Sequence, residues 1–203
     1  MGRVNEIFLS EVLYKKVYSE NNEFIGKLLD IYVLFNGDYP VIVGCKVSKC
    51  GSITNYRFEN INFIRNNNEL KIIINGRNEM QTRRFMYALS KHLLDRQIVD
   101  VNGKKLVRVN DLRIAKIAGD FRVVAVDTGI TALGRRLGVD GIIKSLYRAF
   151  SKIPAGKLIM WDNIKSLEVV NDYLKLSVPY KKLLVFQPTD LTDILERINI
   201  NYQ

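Results

Sequence analysis

The chain carries one pattern twice. LSEVLYKKVYSENNEFIGKLLDI, from Leu9, and LSKHLLDRQIVDVNGKKLVRVNDL, from Leu89, each read as a short helical turn, a strand, a turn, and a second strand ending in Asp and an aliphatic residue. Val17 falls on Ile98, Asn21 on Asn102, Lys27 on Arg108, Asp30 on Asp111 and Ile31 on Leu112, all 81 residues apart. The register persists to Val41-Ile42-Val43 opposite Arg122-Val123-Val124. It widens to 103 where Phe58-Glu59-Asn60-Ile61 meets Trp161-Asp162-Asn163-Ile164, so the second copy has gained 22 residues. A unit of this length is a duplicated domain, since solenoid repeats run about 20–50 residues. The expected units are residues 1–80 and 81–182, with a helical insertion at about 130–152 in the second.

Within each copy the elements are short and rich in Val and Ile. Strands are predicted at Lys16–Ser19, Gly26–Leu34, Val41–Val47, Thr54–Phe58 and Leu70–Ile74, then at Ile98–Val101, Leu106–Ile114, Phe121–Asp127, Gly156–Met160 and Tyr173–Val178. Turn signals separate them, among them Asn36-Gly37-Asp38, Asn102-Gly103 and Ala118-Gly119-Asp120. Many short strands in about 80 residues favour a small barrel or curled sheet. Three helices interrupt the pattern. One at Glu79–Leu94 links the copies, with Met86, Leu89 and Leu93 on one stripe. One at Asp140–Phe150 lies in the insertion, preceded by a turn holding Arg135-Arg136. The third, in PTDLTDILERI, has Leu191, Ile194, Leu195 and Ile198 on one stripe. A helix of about ten residues is marginal alone, so this last one is expected to dock on more of the same protein beyond Gln203 or on another chain. The fold class expected is therefore mainly β: two tandem small barrels with a linking helix, a helical insertion and a C-terminal helix.

No apolar run approaches the roughly 18 residues that span a bilayer, and MGRVNEIFLSEVLYKK lacks a secretory core, so a cytoplasmic chain without membrane insertion is expected. It remains compatible with the cytosolic part of a membrane-associated protein. Cys45 and Cys50 make no disulfide framework and, with one histidine in the chain, no four-ligand zinc site; they read as reduced. The net charge is +10, concentrated in residues 81–150, which carry 14 Lys/Arg against 6 Asp/Glu. Such a concentration suits an anionic partner, with Arg83, Arg84, Arg113, Lys116, Arg135 and Arg136 as the candidate contacts. The competing reading is a solvated face, because no aromatic-rich nucleic-acid motif accompanies the charge.

Chemistry has little foothold. His92, the single histidine, sits on a predicted helix without a visible base or nucleophile partner, and no Walker loop, G-x-S-x-G or H-E-x-x-H occurs. No enzyme and no cofactor is expected. Asp30 and Asp111 recur at one place in both copies. They are candidate cation ligands at a barrel rim, but recurrence favours a structural carboxylate that bonds backbone N–H groups.

These residues carry a family resemblance. Gly26–Ile31 (Gly-Lys-Leu-Leu-Asp-Ile) resembles the PRC-barrel family, which also supplies the C-terminal domain of the ribosome-maturation protein RimM. Leu93–Ala115, Arg122–Gly138 and Leu158-Ile159-Met160-Trp161 resemble the second of two barrels ahead of the helical and CBS domains in MgtE-type magnesium-transporter-like proteins. Lys182–Ile198 is similar to the opening of the MgtE N-terminal helical domain, with Gln187 for the usual His and Thr192 for Ala, so 183–203 would begin that domain. The resemblance implies a non-enzymatic regulatory or protein-interaction module. Its partners would be the downstream helical and CBS domains or another chain, homo-oligomers included. The alternative is a RimM-like RNA- or ribosome-binding module, nucleic acid being the less favoured partner.

Overall fold

A computed structural model of the chain describes residues 2–35, 37–58, 61–66, 69–75, 79–83, 86–100, 105–139, 141, 158–164, 167–170 and 173–176. It is mainly β, and its principal sheet curls into a half-barrel. The first repeat contains β1 (Gly2–Arg3), β2 (Glu6–Phe8), α1 (Leu9–Val12), β3 (Lys16–Ser19), β4 (Phe24–Leu34), β5 (Val41–Lys49), β6 (Ser52–Arg57), β7 (Ile61–Asn66) and β8 (Glu69–Ile74). The second contains β9 (Tyr87–Ala88), α2 (Leu89–His92), β10 (Gln97–Asp100), β11 (Lys105–Arg108), β12 (Asp111–Ile117), β13 (Asp120–Asp127), α3 (Ile130–Leu137), β14 (Leu158–Met160), a 3₁₀ turn at Trp161–Asn163, β15 (Leu167–Val170) and β16 (Tyr173–Leu176).

The two repeats share one hydrogen-bond register. Asp30↔Lys46, Ile31↔Cys45 and Tyr32↔Gly44 between β4 and β5 recur as Asp111↔Asp127, Leu112↔Val126 and Arg113↔Ala125 between β12 and β13. Both ladders then bulge at the equivalent place, after Tyr32 and after Arg113. Bulges bend a strand and increase its twist, so each pair curls in the same sense. Lys16↔Lys27 recurs as Gln97↔Arg108, and Cys45↔Tyr56 as Val126↔Ile159. Even the turns match: the Tyr14 N–H donates to Leu28 O (2.7 Å) and the Asp95 N–H to Val109 O (2.9 Å).

Where the sequence predicts two tandem barrels, twelve of the described strands form one sheet with the main path β1-β7-β8-β3-β4-β5-β13-β12-β2, while β10–β11 and β15–β16 are separate two-stranded sheets. The physical reason is an exchange of leading strands. β2, which precedes α1, pairs with β12 of the second repeat, Phe8 opposite Arg113 and Ile7 opposite Ile114. β9, which precedes α2, pairs with β4 of the first repeat, Ala88 opposite Tyr32 and Tyr87 opposite Val33. These are the same pairs in the two halves. The repeats also meet at Val41↔Arg122 between β5 and β13. Residues 2–8 tie the ends of the path, since Gly2 and Arg3 face β7 while Glu6–Phe8 face β12. Buried side chains from both repeats, from Ile7 and Leu9 to Trp161 and Ile164, form one apolar cluster.

The linking helix is shorter than its periodicity predicts. Among the described residues of this span only Leu89–His92 is helical; Tyr87 and Ala88 are a strand, and Glu79 bridges Tyr56. Pairing with the free edge of β4 satisfies backbone groups that an extended helix would leave on that edge. Arg135-Arg136, predicted in a turn, end α3, which Gly138 terminates in the left-handed region (φ 72°). The predicted helix at Asp140–Phe150 lies almost wholly outside the described residues, as do the Asn102-Gly103 turn, Arg84 and the C-terminal Leu191, Ile194, Leu195 and Ile198. Among the described residues no helix is long and apolar enough to cross a membrane.

Candidate functional site

The recurring aspartates sit where each repeat grips the other. The first turn of a helix leaves N–H groups without intrahelical partners and favours negative charge. In α1 the Ser10 N–H donates to Asp111 Oδ1 (3.0 Å) and the Ser10 hydroxyl to Oδ2 (2.5 Å). In α2 the Ser90 N–H donates to Asp30 Oδ1 (2.8 Å), and the Ser90 hydroxyl donates to Oδ2. Each carboxylate also accepts from the next residue of its own strand, Ile31 N–H at 2.8 Å and Leu112 N–H at 2.9 Å. Asp30 and Asp111 are both buried. Their oxygens thus serve as caps for the opposite repeat's helix, and among the described residues no group of three His, Cys, Asp or Glu side chains is placed to hold a metal ion.

The second repeat adds a latch that the first lacks. Asp127 stands where the first repeat has Lys46. The Arg135 guanidinium, from the last turn of α3, lies 2.7 Å from Asp127 Oδ2 and 3.4 Å from Asp111 Oδ2, and packs 4.0 Å from the centre of the Phe8 ring. Asp127 Oδ1 accepts the Gly129 N–H (2.9 Å) at the start of the same helix, while Asn110 Nδ2 donates to the carbonyls of Thr128 and Gly129. Arg136 grips both oxygens of Asp95 (2.9 and 2.8 Å), and Arg108 donates to the same carboxylate (2.7 Å). Burial raises the Asp111 carboxyl above its usual range, against the lowering by Ser10, Leu112 and Arg135. At Asp95 burial also acts upward, but the hydrogen bonds from Arg136 and Arg108 outweigh it and hold the carboxyl below its usual range.

Of the residues singled out for an anionic partner, Arg135 and Arg136 therefore face the chain's own carboxylates. Arg113 pairs with Glu6 across β12 and β2 (2.6 Å). Lys116 is exposed, its ammonium 5.8 Å from the Phe121 ring, and Arg83 is exposed. His92 is buried with Nδ1 3.0 Å from both the backbone nitrogen and the oxygen of Ala88, a packing role. Burial pushes the Cys45 thiol up to about 12, so it is inert, whereas Cys50 is exposed. Sequence reasoning missed Ser10, Ser90, Asp95 and Asp127. Ser10 and Ser90 had a signal, the Leu-Ser pair that opens both copies; Asp127 had one in the Lys-to-Asp change between copies.

With its latch fastened, α3 leaves Ile130 and Leu137 (64 % exposed) facing outward, and Leu158 and Met160 are exposed on β14. Compared with known proteins, the chain matches no family model and no curated protein.

Proposed function

We propose that this chain is a non-enzymatic cytoplasmic interaction module, two PRC-barrel-like units fused through exchanged strands, that regulates a magnesium-transporter-like protein by docking on its helical and CBS domains. One observation carries the reading: Asp30, Asp111, Asp127 and Arg135 are committed to holding the repeats and α3 together, and the exposed residues of α3, Ile130 and Leu137, are apolar. Asp30, Asp111, Asp127 and Arg135 are occupied by caps and by the latch. An arrangement that fixes a short helix through two guanidinium groups presents its outer face as a rigid contact. Exposed apolar residues on a rigid element are what a protein partner desolvates.

The test is a titration of the purified 203-residue protein with the purified helical–CBS region of an MgtE-type protein, followed by calorimetry with and without magnesium. A saturable complex that Leu137→Asp weakens at least about tenfold, a change of about 1.4 kcal/mol, supports the reading. Absence of a complex in both conditions, or a complex indifferent to Leu137→Asp, overturns it.

A further inference from the structure

Away from α3, five neighbouring strands of the first repeat bring together side chains that lie far apart in the chain. The order across the sheet is β8, β3, β4, β5, β6. Lys71 on β8 holds its ammonium 4.6 Å from the ring centre of Tyr18 on β3. Tyr18 meets Phe24 on β4 edge-on, with ring centres 6.2 Å apart. Phe24 is 41 % exposed, and the ammonium of Lys49 on β5 lies 5.9 Å from its ring while donating to the Phe24 carbonyl at 3.1 Å. Lys49 is also part of the wall of a pocket of about 310 Å³. That pocket has an apolar floor of Ile25, Val47 and Tyr56 and a hydroxyl-bearing side formed by Ser52 and Thr54. The strip thus reads cation, ring, ring, cation, pocket.

We propose that this strip binds single-stranded nucleic acid. Unpaired bases stack on aromatic side chains, and flanking lysines neutralise the phosphates between them. A pocket at the lower end of the usual size range for small ligands accommodates one base with its sugar, the floor covering the base and the hydroxyls meeting its polar edge. An acidic peptide would satisfy Lys49 and Lys71 but leave the ring faces and the pocket unused. A duplex hides its bases from all three. Lys71 also donates to Asn22 Oδ1 and Lys49 to the Phe24 carbonyl; on binding, each ammonium exchanges that bond for a phosphate and a base takes its place over the ring. This site is separate from the α3 face, and its failure leaves the docking reading untouched.

The experiment is fluorescence anisotropy of the full chain with a labelled single strand of about 12 nucleotides, the matching duplex, and a labelled polyglutamate peptide. The expected result is binding of the single strand in preference to both others. Phe24→Leu and Tyr18→Ala should each weaken it by about 5- to 100-fold. Lys49→Gln and Lys71→Gln should each reduce the slope of log affinity against log salt by about 0.7. Thermal melts accompany every variant, and Phe24→Leu preserves apolar bulk at an exposed position. No binding of the single strand at low salt overturns the proposal. So does equal binding of the polyglutamate peptide, or binding that folded Phe24→Leu and Tyr18→Ala variants retain in full.

Discussion

The two repeats make the same backbone ladder with the same bulge, yet the carboxylate at its centre has different company in each. In the first, Asp30 caps α2 opposite Lys46. In the second, Asp111 caps α1 opposite Asp127, and Arg135 bridges the two acids. The shared part is what an exchanged arrangement demands: each helix has orphan N–H groups, and an aspartate on the other repeat's strand accepts from the Ser10 or Ser90 N–H. The divergent part follows from α3. A helix inserted into one copy needed an anchor, and a Lys-to-Asp difference at one paired position supplies it. Duplicated residues therefore report on folding, and the place where the copies disagree reports on what the second copy acquired.

That contrast is broken most directly by removing the aspartates in turn. Asp111→Ala leaves Arg135 without one of its two carboxylates and Ser10 without its acceptor; disrupting a buried ion network of this kind costs about 3–5 kcal/mol. Asp30→Ala removes the cap alone and should cost about 1–3 kcal/mol. Urea unfolding of the two variants measures both. Equal losses would show that Arg135 contributes nothing to the second site beyond the shared cap.

How much of this was readable beforehand depends on the range of the interaction. β3 was predicted at its observed limits, Lys16–Ser19, and β13 within one residue, because alternation and turn residues are local signals. Of the helix predicted over Glu79–Leu94, the described residues are helical at Leu89–His92 alone, because the edge of β4 competes for Tyr87 and Ala88 and nothing near those residues announces that edge. The strand predicted over Leu106–Ile114 divides at Val109 and Asn110, where the Asn110 side chain takes two carbonyls of the α3 approach. The caps are legible only as recurrence: Asp30 and Asp111 read as structural carboxylates, but their partners lie 60 and 101 residues away in sequence. The aromatic strip was invisible for the same reason, since Tyr18, Phe24, Lys49 and Lys71 form no local motif.

Two backbone positions sharpen the comparison at smaller cost. Gly26 lies in β4 at φ 157°, and a Cβ there would come within 2.5 Å of the Ser48 carbonyl oxygen; its counterpart 81 residues on is Val107. Gly26→Ala should lower stability by about 1–3 kcal/mol, with the loss read as a fall in the thermal midpoint. Tyr14 and Asp95 occupy equivalent left-handed positions, φ 63° and 65°. Asp tolerates that region; a ring-bearing residue does so at a cost of about 1–2 kcal/mol. Tyr14 is 68 % exposed, so Tyr14→Asn should raise stability by about 0.5–1 kcal/mol. An unchanged or lower thermal midpoint would show that the Tyr14 ring has a contact worth more than its strain.

The smallest effects separate the two acids of the second repeat by the sign of their pH dependence. Asp95 is held below its ordinary range by Arg136 and Arg108, so the folded state binds its proton less readily than the unfolded chain. The stability it adds is complete above the usual carboxylate range and disappears as pH falls through the depressed folded value. Asp111 is raised by burial, so the folded state binds its proton more readily, and stability falls as pH climbs from the usual range through the raised value. The two slopes oppose each other. Arg136→Ala, an exposed pair, should cost only about 0.2–1 kcal/mol, diminish the loss on the acid side, and lose its effect at high salt. Asp111→Asn should abolish the decline on the higher side while leaving the acid limb in place. If both variants altered the same limb of the urea-midpoint profile, the cap and the latch would be one coupled unit and not two devices added to a common ladder.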